Sequence, residues 1–174
     1  YPDLENFGRV DLEMNAGELL ATIRDQIQLL ADITEGQGLA LSHVKAHGAL
    51  YNRAAQDRAV ARTIGAAVLQ VNPQLPVMGL SGSVMLDVFA EMGLTVMGEA
   101  FADRTYESDG SLRNRKFPDA LITDPAQAAK QAKLIAKGKV IQWTAVNWKL
   151  KLKLSVFTAI LPMHWPLPEK FAWL

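Results

Sequence analysis

Segments with helical and strand patterns alternate along the first 142 residues, with short connections between them. This alternation constrains the fold most, because strands separated by helices are joined by crossovers and form a parallel sheet. The sequence therefore predicts an α/β fold, either a doubly wound sheet or a barrel. The expected helices are 15–36, 57–71, one of about ten residues after 83, and 124–137. The expected strands are 39–45, 75–80, 94–97 and one starting at 140.

Functional groups of parallel α/β folds lie at the carboxyl ends of the strands. Here those ends carry His47-Gly48, Ser81-Gly82-Ser83 and the charged segment 99–106. Neither a Gly-x-Gly-x-x-Gly fingerprint nor a phosphate-loop motif follows any expected strand. We therefore expect His47, Ser81 and Asp103 on one face of the sheet.

Lys45 and His47 are two residues apart, so on an extended chain they face the same side. A Lys and a His that converge on one pocket suit anion binding and proton transfer. The alternative interpretation is a capping His and a solvated Lys at a strand-to-helix turn.

The segment 99–106 crowds acidic, basic and phenolic groups directly after an expected strand. Glu99 or Asp103 could act as a general base, and Arg104 could pair with an anionic substrate group. A salt-bridged surface loop is the alternative. His47 with Asp103 could also bind a divalent ion, although two ligands do not make a metal site.

Composition excludes several classes of function. Lys plus Arg and Asp plus Glu both number 18, and this zero net charge argues against a nucleic-acid or anionic-membrane binder. Cysteine is absent, which excludes disulfides and thiolate sites and permits a reducing compartment. The sequence contains no run of about 18 apolar residues, so no membrane span is expected.

Residues 44–52, 79–83 and 99–112 resemble the signature segments of the lactam-utilisation (LamB/YcsF) family, which includes the A subunit of 5-oxoprolinase. Segments 1–9 and 120–124 fit as well, so the resemblance covers residues 1 to about 142. It implies a cytoplasmic protein with a barrel-like parallel fold of the glycoside hydrolase/deacetylase (TIM-barrel-like) type. It also implies an enzyme that binds ATP and opens 5-oxoproline to glutamate, together with subunits B and C.

The resemblance suggests a role for each candidate residue. Opening an unstrained lactam needs carbonyl activation, which phosphorylation of its oxygen would supply. His47 and Asp103 are expected to be catalytic and to move protons. Lys45 or Arg104 is expected to hold the substrate carboxylate. The remaining substrate-binding candidates are Ser81 and Tyr106.

The chain departs from the family pattern in two places. The family's Lys-Pro-His-Gly-Ala motif reads Lys45-Ala46-His47-Gly48-Ala49, and the change to Ala46 loosens the turn that aims His47. Family members also carry a further segment before residue 1, so we expect a fragment with an incomplete barrel. Two alternatives remain open: a metal-dependent carbohydrate deacetylase or hydrolase of similar fold, and an inactive remnant.

Residues 143–174 differ from the 142 residues before them. All four Trp lie there, with four Lys and a single acid, Glu169. We interpret 1–142 as the family domain and 143–174 as a non-family tail produced by a frameshift. A Trp-anchored strand with a Pro-rich end that contacts membranes is the alternative.

The genetic code supports the frameshift. Read one base earlier, the codons of Trp143-Thr144 give Asp, those of 157–162 permit His-Gly-Asp-Thr-Pro, and those of 163–166 force Ala-Leu-Ala. The family implies an Asp-Gly, a strand and that same His-containing motif here. A shifted reading leaves the tail without a selected apolar face, so its Trp side chains are expected to be exposed.

Sequencing the coding DNA tests this prediction. We expect a one-base shift near codon 142 to restore the His-Gly-Asp-Thr-Pro motif in an open frame. A coding sequence in which no one-base shift restores that motif would contradict the interpretation.

Overall fold

The structure, a computed structural model, describes the backbone of residues 1–141, 147–149 and 154–158, and the side chains of 1–140. The tail's Trp side chains, which we expected to be exposed, lie outside the described residues. The helices are α1 (Ala16–Glu35), α2 (Gly48–Ala54), α3 (Arg58–Val71), α4 (Val84–Glu91) and α5 (Pro125–Ile135). The strands are β1 (Val44–Lys45), β2 (Val77–Leu80), β3 (Val96–Phe101), β4 (Lys139–Ile141), β5 (Asn147–Lys149) and β6 (Leu154–Thr158).

Four strands form a parallel sheet in the order β1-β2-β3-β6. Val44 pairs with Val77, and Leu80 pairs with Glu99. Helices separate β1 from β2 and β2 from β3, as the crossovers of a parallel sheet require. Within the described residues the sheet is open, so the expected α/β fold with an incomplete barrel is confirmed.

Side-chain caps fix where α1, α3 and α5 begin, close to the helix starts that the sequence predicts. Oδ1 of Asn15 accepts a hydrogen bond from the backbone N–H of Glu18 at 2.9 Å. Oδ1 of Asp57 accepts from Ala59 and Val60 at the start of α3. Asp124 caps α5 in the same way. Each cap satisfies backbone donors that the first helical turn leaves without partners.

The hydrophobic core lies between the helices and the sheet. α3 packs against both α1 and α4, and Ile64, Val68 and Phe89 are each at most 1 % exposed. The apolar face of α1 extends beyond this core. Leu30 continues the helical spacing of Leu19, Ile23 and Ile27, but it is 52 % exposed.

The structure differs from the sequence expectation at four elements. β1 is shorter than the expected strand 39–45, and α2 was not predicted. β3 extends to Phe101, so Glu99 lies inside a buried strand and not in the expected polar loop. β4 leaves the parallel sheet and pairs antiparallel with β5. Among the residues described, no helix is long and apolar enough to span a membrane.

Candidate active site

Three of the expected site residues follow neighbouring parallel strands. His47 comes after β1, Ser81 after β2 and Asp103 after β3. The strands run in register, and the backbone N–H of Ser81 donates to the carbonyl of Glu99 at 2.9 Å. The topology therefore places all three residues beyond the same edge of the sheet, the carboxyl edge.

A half-buried ion pair lies at this edge. Nζ of Lys45 is 2.7 Å from Oε2 of Glu99, whose side chain is fully buried, while 33 % of the Lys45 side chain is exposed. The pair joins β1 to β3 across the intervening β2. The rings of Tyr51 and Phe101 flank the ammonium, with centroids 5.6 and 5.3 Å from Nζ. Lys45 thus reaches the site as an ammonium held by a carboxylate and two aromatic rings.

Tyr51 lies on α2 and is 5 % exposed. Burial, followed by the charge of the Glu99 carboxylate, raises the pKa of Tyr51 above its ordinary value. The phenol therefore stays neutral beside the ion pair. The sequence interpretation missed Tyr51. Its position four residues after His47 places the two residues near each other only if the segment is helical, and α2 was not predicted.

His47 is the N-cap residue of α2, but its side chain makes no capping hydrogen bond. Nε2 instead lies 3.1 Å from the carbonyl oxygen of Phe7, and the two rings meet edge to face at 5.2 Å. The imidazole is otherwise exposed. His47 is therefore positioned by the segment that precedes α1.

Gly48 allows the segment that contains Gly8 to lie close to the start of α2. Its φ is +61°, and a Cβ there would lie 2.3 Å from the carbonyl oxygen of Gly8. The same oxygen accepts a hydrogen bond from the N–H of Ala49 at 2.9 Å. A glycine permits such a close approach to its backbone, and here another part of the same chain makes it.

Asp103 is half-buried at the end of β3. Its Oδ1 is buried and has no hydrogen-bond partner among the residues described. Burial raises the pKa of Asp103, and its own backbone N–H and the charges of Arg104 and Arg115 oppose the rise. A carboxylate with a raised pKa suits a general base.

Ser81 is 2 % exposed, and its Oγ also has no hydrogen-bond partner within the described part of the chain. The turn that follows borders a cleft of about 390 Å³, which Leu80, Gly82 and Ser83 line together with residues 109–111. A buried hydroxyl without a partner is unusual in a folded protein. Its expected role in substrate binding stays a prediction.

Arg104 and Tyr106 are buried in the loop 102–122, where they bind backbone groups. The Arg104 guanidinium donates to the carbonyls of Ala120 and Arg113, at 3.2 and 2.6 Å. The Tyr106 hydroxyl accepts from the N–H of Phe101 at 2.8 Å. These contacts hold the loop in shape, and the expected substrate contacts of both residues stay predictions.

Gln131 was also missed by the sequence interpretation. It is fully buried on α5, and its Nε2 donates to the carbonyls of Phe101 and Arg104, on either side of Asp103. The available signal was a polar residue on the apolar face of α5, spaced between Ala128 and Ile135. Gln131 thereby fixes the backbone that carries Asp103.

The described residues contain no group of three or more His, Asp or Glu side chains that could hold a metal ion. Metal ligation by His47 with Asp103 therefore stays a prediction that needs a further ligand.

Comparison with known proteins identifies the family. The model of the LamB/YcsF family matches residues 1–156. The chain belongs to the LamB/YcsF family. The match continues past Gln142, and the domain boundary expected there stays a prediction.

Several relatives that match are named as the A subunit of 5-oxoprolinase. The chain is 48 % identical over 141 residues to this protein of Chloroflexus aggregans, covering 81 % of this chain and 56 % of that protein. It is 44 % identical over 141 residues to the Haemophilus influenzae protein of the same name, covering 80 % and 58 %. The chain thus spans a little over half the length of these relatives.

A solved structure has the same fold. The lactam utilization protein from Thermus thermophilus superposes with a TM-score of 0.81 at 36 % identity, covering 91 % of this chain and 64 % of that one. The parallel architecture derived above is therefore the family's architecture.

Replacing Asp103 tests its environment. Because burial raises the pKa of Asp103 in the folded state, its ionised form destabilises the fold above that pKa, and the cost disappears below the ordinary Asp pKa of about 3.9. We expect Asp103→Asn to raise the urea midpoint at pH 7, with the gain shrinking as the pH falls through this window.

Asp119→Asn is the matched control. The hydrogen bond from Arg113 lowers the pKa of Asp119, so this carboxylate stabilises the fold above its ordinary pKa, and the effect is lost as the pH falls through the lowered value. Its replacement should lower the midpoint at pH 7. A lower midpoint for both variants would show that Asp103 does not bear a desolvation cost.

Proposed function

We propose that this chain acts as the A subunit of a cytoplasmic 5-oxoprolinase, which hydrolyses the lactam 5-oxoproline to glutamate with ATP, together with subunits B and C. The observation that carries the proposal is the 48 % identity to a protein named as the A subunit of 5-oxoprolinase, over a segment of 141 residues. The relatives are named as one subunit of an enzyme, which supports the need for partners.

The charged groups at the carboxyl edge suit an anionic lactam. The substrate carries a carboxylate, and the partly exposed Lys45 ammonium offers hydrogen-bond donors to it. The buried Glu99 carboxylate fixes the position of that ammonium, with Oε2 2.7 Å from Nζ. The substrate would therefore meet a fixed donor and not a flexible surface lysine.

The Ser81 hydroxyl fits the phosphate group that ATP brings. Its buried Oγ has no hydrogen-bond partner among the described residues and can donate to a phosphate oxygen or to the lactam oxygen. When bound, ATP supplies the phosphoryl group that activates the lactam carbonyl. Ser81 is the residue of this chain that would hold an oxygen of that group.

Asp103 and His47 divide the proton transfers. With its pKa raised by burial, the Asp103 carboxylate suits removal of a proton from the water that attacks the activated carbon. The lactam C–N bond then breaks, the ring nitrogen takes up a proton to become the amine of glutamate, and the phosphoryl group is released as inorganic phosphate. The exposed His47 imidazole suits delivery of that proton.

A chimera tests the proposal, because the chain spans only a little over half of its relatives. Residues 1–141 replace the matching segment of the Chloroflexus aggregans protein, which is then assayed with its partner subunits for ATP-dependent release of glutamate from 5-oxoproline. We expect activity, and a loss of about 10²–10⁴-fold in kcat for His47→Ala and for Asp103→Ala.

His43→Ala is the control, since His43 is exposed and bonds its neighbour Ser42; it should leave kcat unchanged. Losses below threefold for both His47→Ala and Asp103→Ala would contradict the roles assigned here. Metal-dependent release of acetate from an N-acetylated sugar, without ATP, would favour the deacetylase instead.

A further inference from the structure

The hydrogen bond of His47 defines which ring nitrogen carries the proton. Nε2 lies 3.1 Å from the carbonyl oxygen of Phe7. A carbonyl oxygen can only accept, so Nε2 must donate and must carry the hydrogen. A second contact orients the ring, because the His47 and Phe7 rings meet edge to face with centroids 5.2 Å apart.

The partner carbonyl belongs to residues 3–9, which we call the strap. Inside it, the N–H of Gly8 donates to the carbonyl of Asp3 at 2.8 Å, and both the N–H and the Nδ2 of Asn6 donate to Asp3 Oδ1. The hydrogen bond from Ala49 N–H to Gly8 O joins the strap to the start of α2. The Phe7 carbonyl is therefore held in place by backbone bonds on both sides.

The strap also contains a strained residue. Phe7 has a φ of +54°, the one positive value at a non-glycine position among the residues described. Such conformations cost free energy and persist where the surroundings over-determine them, often next to functional groups. This conformation forms part of the turn that presents the Phe7 carbonyl to His47.

We propose that the strap fixes His47 as the Nε2–H tautomer, so that Nδ1 is the nitrogen that accepts and returns the proton. The part that concerns catalysis rests on the function proposed above. Phe7, Gly8 and Gly48 are then positioning residues: Phe7 supplies the acceptor, and the two glycines allow the strap and α2 to approach.

The proton balance is simple. The neutral, exposed ring takes a proton from solvent at Nδ1 and becomes an imidazolium, while Nε2–H stays hydrogen-bonded to the Phe7 carbonyl. The ring later gives that same proton from Nδ1 to the leaving nitrogen. Among the described residues no group hydrogen-bonds to Nδ1, so this nitrogen is open to a substrate. A hydrogen bond from a charged ring is stronger than one from a neutral ring, so the contact with Phe7 persists when Nδ1 takes up a proton.

Nitrogen-15 NMR of the imidazole rings of the whole chain tests the tautomer directly. Spectra are recorded at about pH 8, where free imidazole is neutral, and His47→Gln assigns the His47 signals. We expect Nε2 to carry the hydrogen that bonds the Phe7 carbonyl, and Nδ1 to be unprotonated. Phe7→Ala keeps the carbonyl and should preserve this pattern.

Gly48→Ala should break it, because the new Cβ would lie 2.3 Å from the Gly8 oxygen. We expect the Nε2 hydrogen to exchange about fivefold faster, as expected when a single hydrogen bond is lost. Gly38→Ala is the matched control: Gly38 has a φ of +70° but no atom within 4 Å of its Cβ position. It bears similar backbone strain and should leave His47 unchanged.

A wild-type spectrum with the hydrogen on Nδ1 would overturn the proposal. This result is obtained on the wild-type chain, so it does not depend on whether any variant folds. Equal exchange rates in wild type and a folded Gly48→Ala would also overturn it. Neither outcome depends on turnover, so a failure here differs from the failure of the chimera assay. Loss of activity with an intact Nε2–H signal would count against the function and not against the tautomer.

Discussion

The ion pair between Lys45 and Glu99 is the interaction on which the rest of the site depends. A fully buried carboxylate costs several kcal/mol unless a cation and hydrogen bonds compensate it. Here the cation comes from a strand two places away in the sheet, at 2.7 Å. The fold must therefore keep β1 and β3 in fixed register across β2 for Lys45 to reach Glu99.

The positions of the other site residues follow from the position of this ion pair. Tyr51 packs against the pair from α2, which requires α2 to begin directly after β1. That start leaves His47 at the junction, where Gly48 permits the close contact with Gly8. On the far strand, β3 continues two residues beyond Glu99, and Gln131 then fixes the turn that carries Asp103.

Local chemistry allowed part of this arrangement to be predicted from the sequence. The helices expected at 15–36, 57–71 and 124–137 match α1, α3 and α5, because what starts them is local: Asn15, Asp57 and Asp124 cap neighbouring backbone groups. The alternation of helices and strands predicted a parallel sheet, because crossovers permit little else. It also predicted that His47, Ser81 and Asp103 would follow three strands at one edge.

Features that depend on distant partners could not be predicted. Glu99 was interpreted as a loop residue because of its charge, and the lysine that makes its burial tolerable lies 54 positions away. α2 was missed because it has seven residues, begins with a glycine and lacks a side-chain cap. The strap around His47 depends on turn geometry at Phe7 and Gly8 that no periodic pattern reports.

A double-mutant cycle on Lys45→Met and Glu99→Gln, measured by urea unfolding, tests the central role of the ion pair most directly. The account predicts that Lys45→Met destabilises the chain by about 2–3 kcal/mol, since it removes the cation from a buried carboxylate; the partial exposure of Lys45 keeps the loss below the full range. Adding Glu99→Gln should recover part of this loss, with a coupling free energy of about 1–3 kcal/mol. Effects that add within about 0.5 kcal/mol would show that the two residues are independent and would contradict the account.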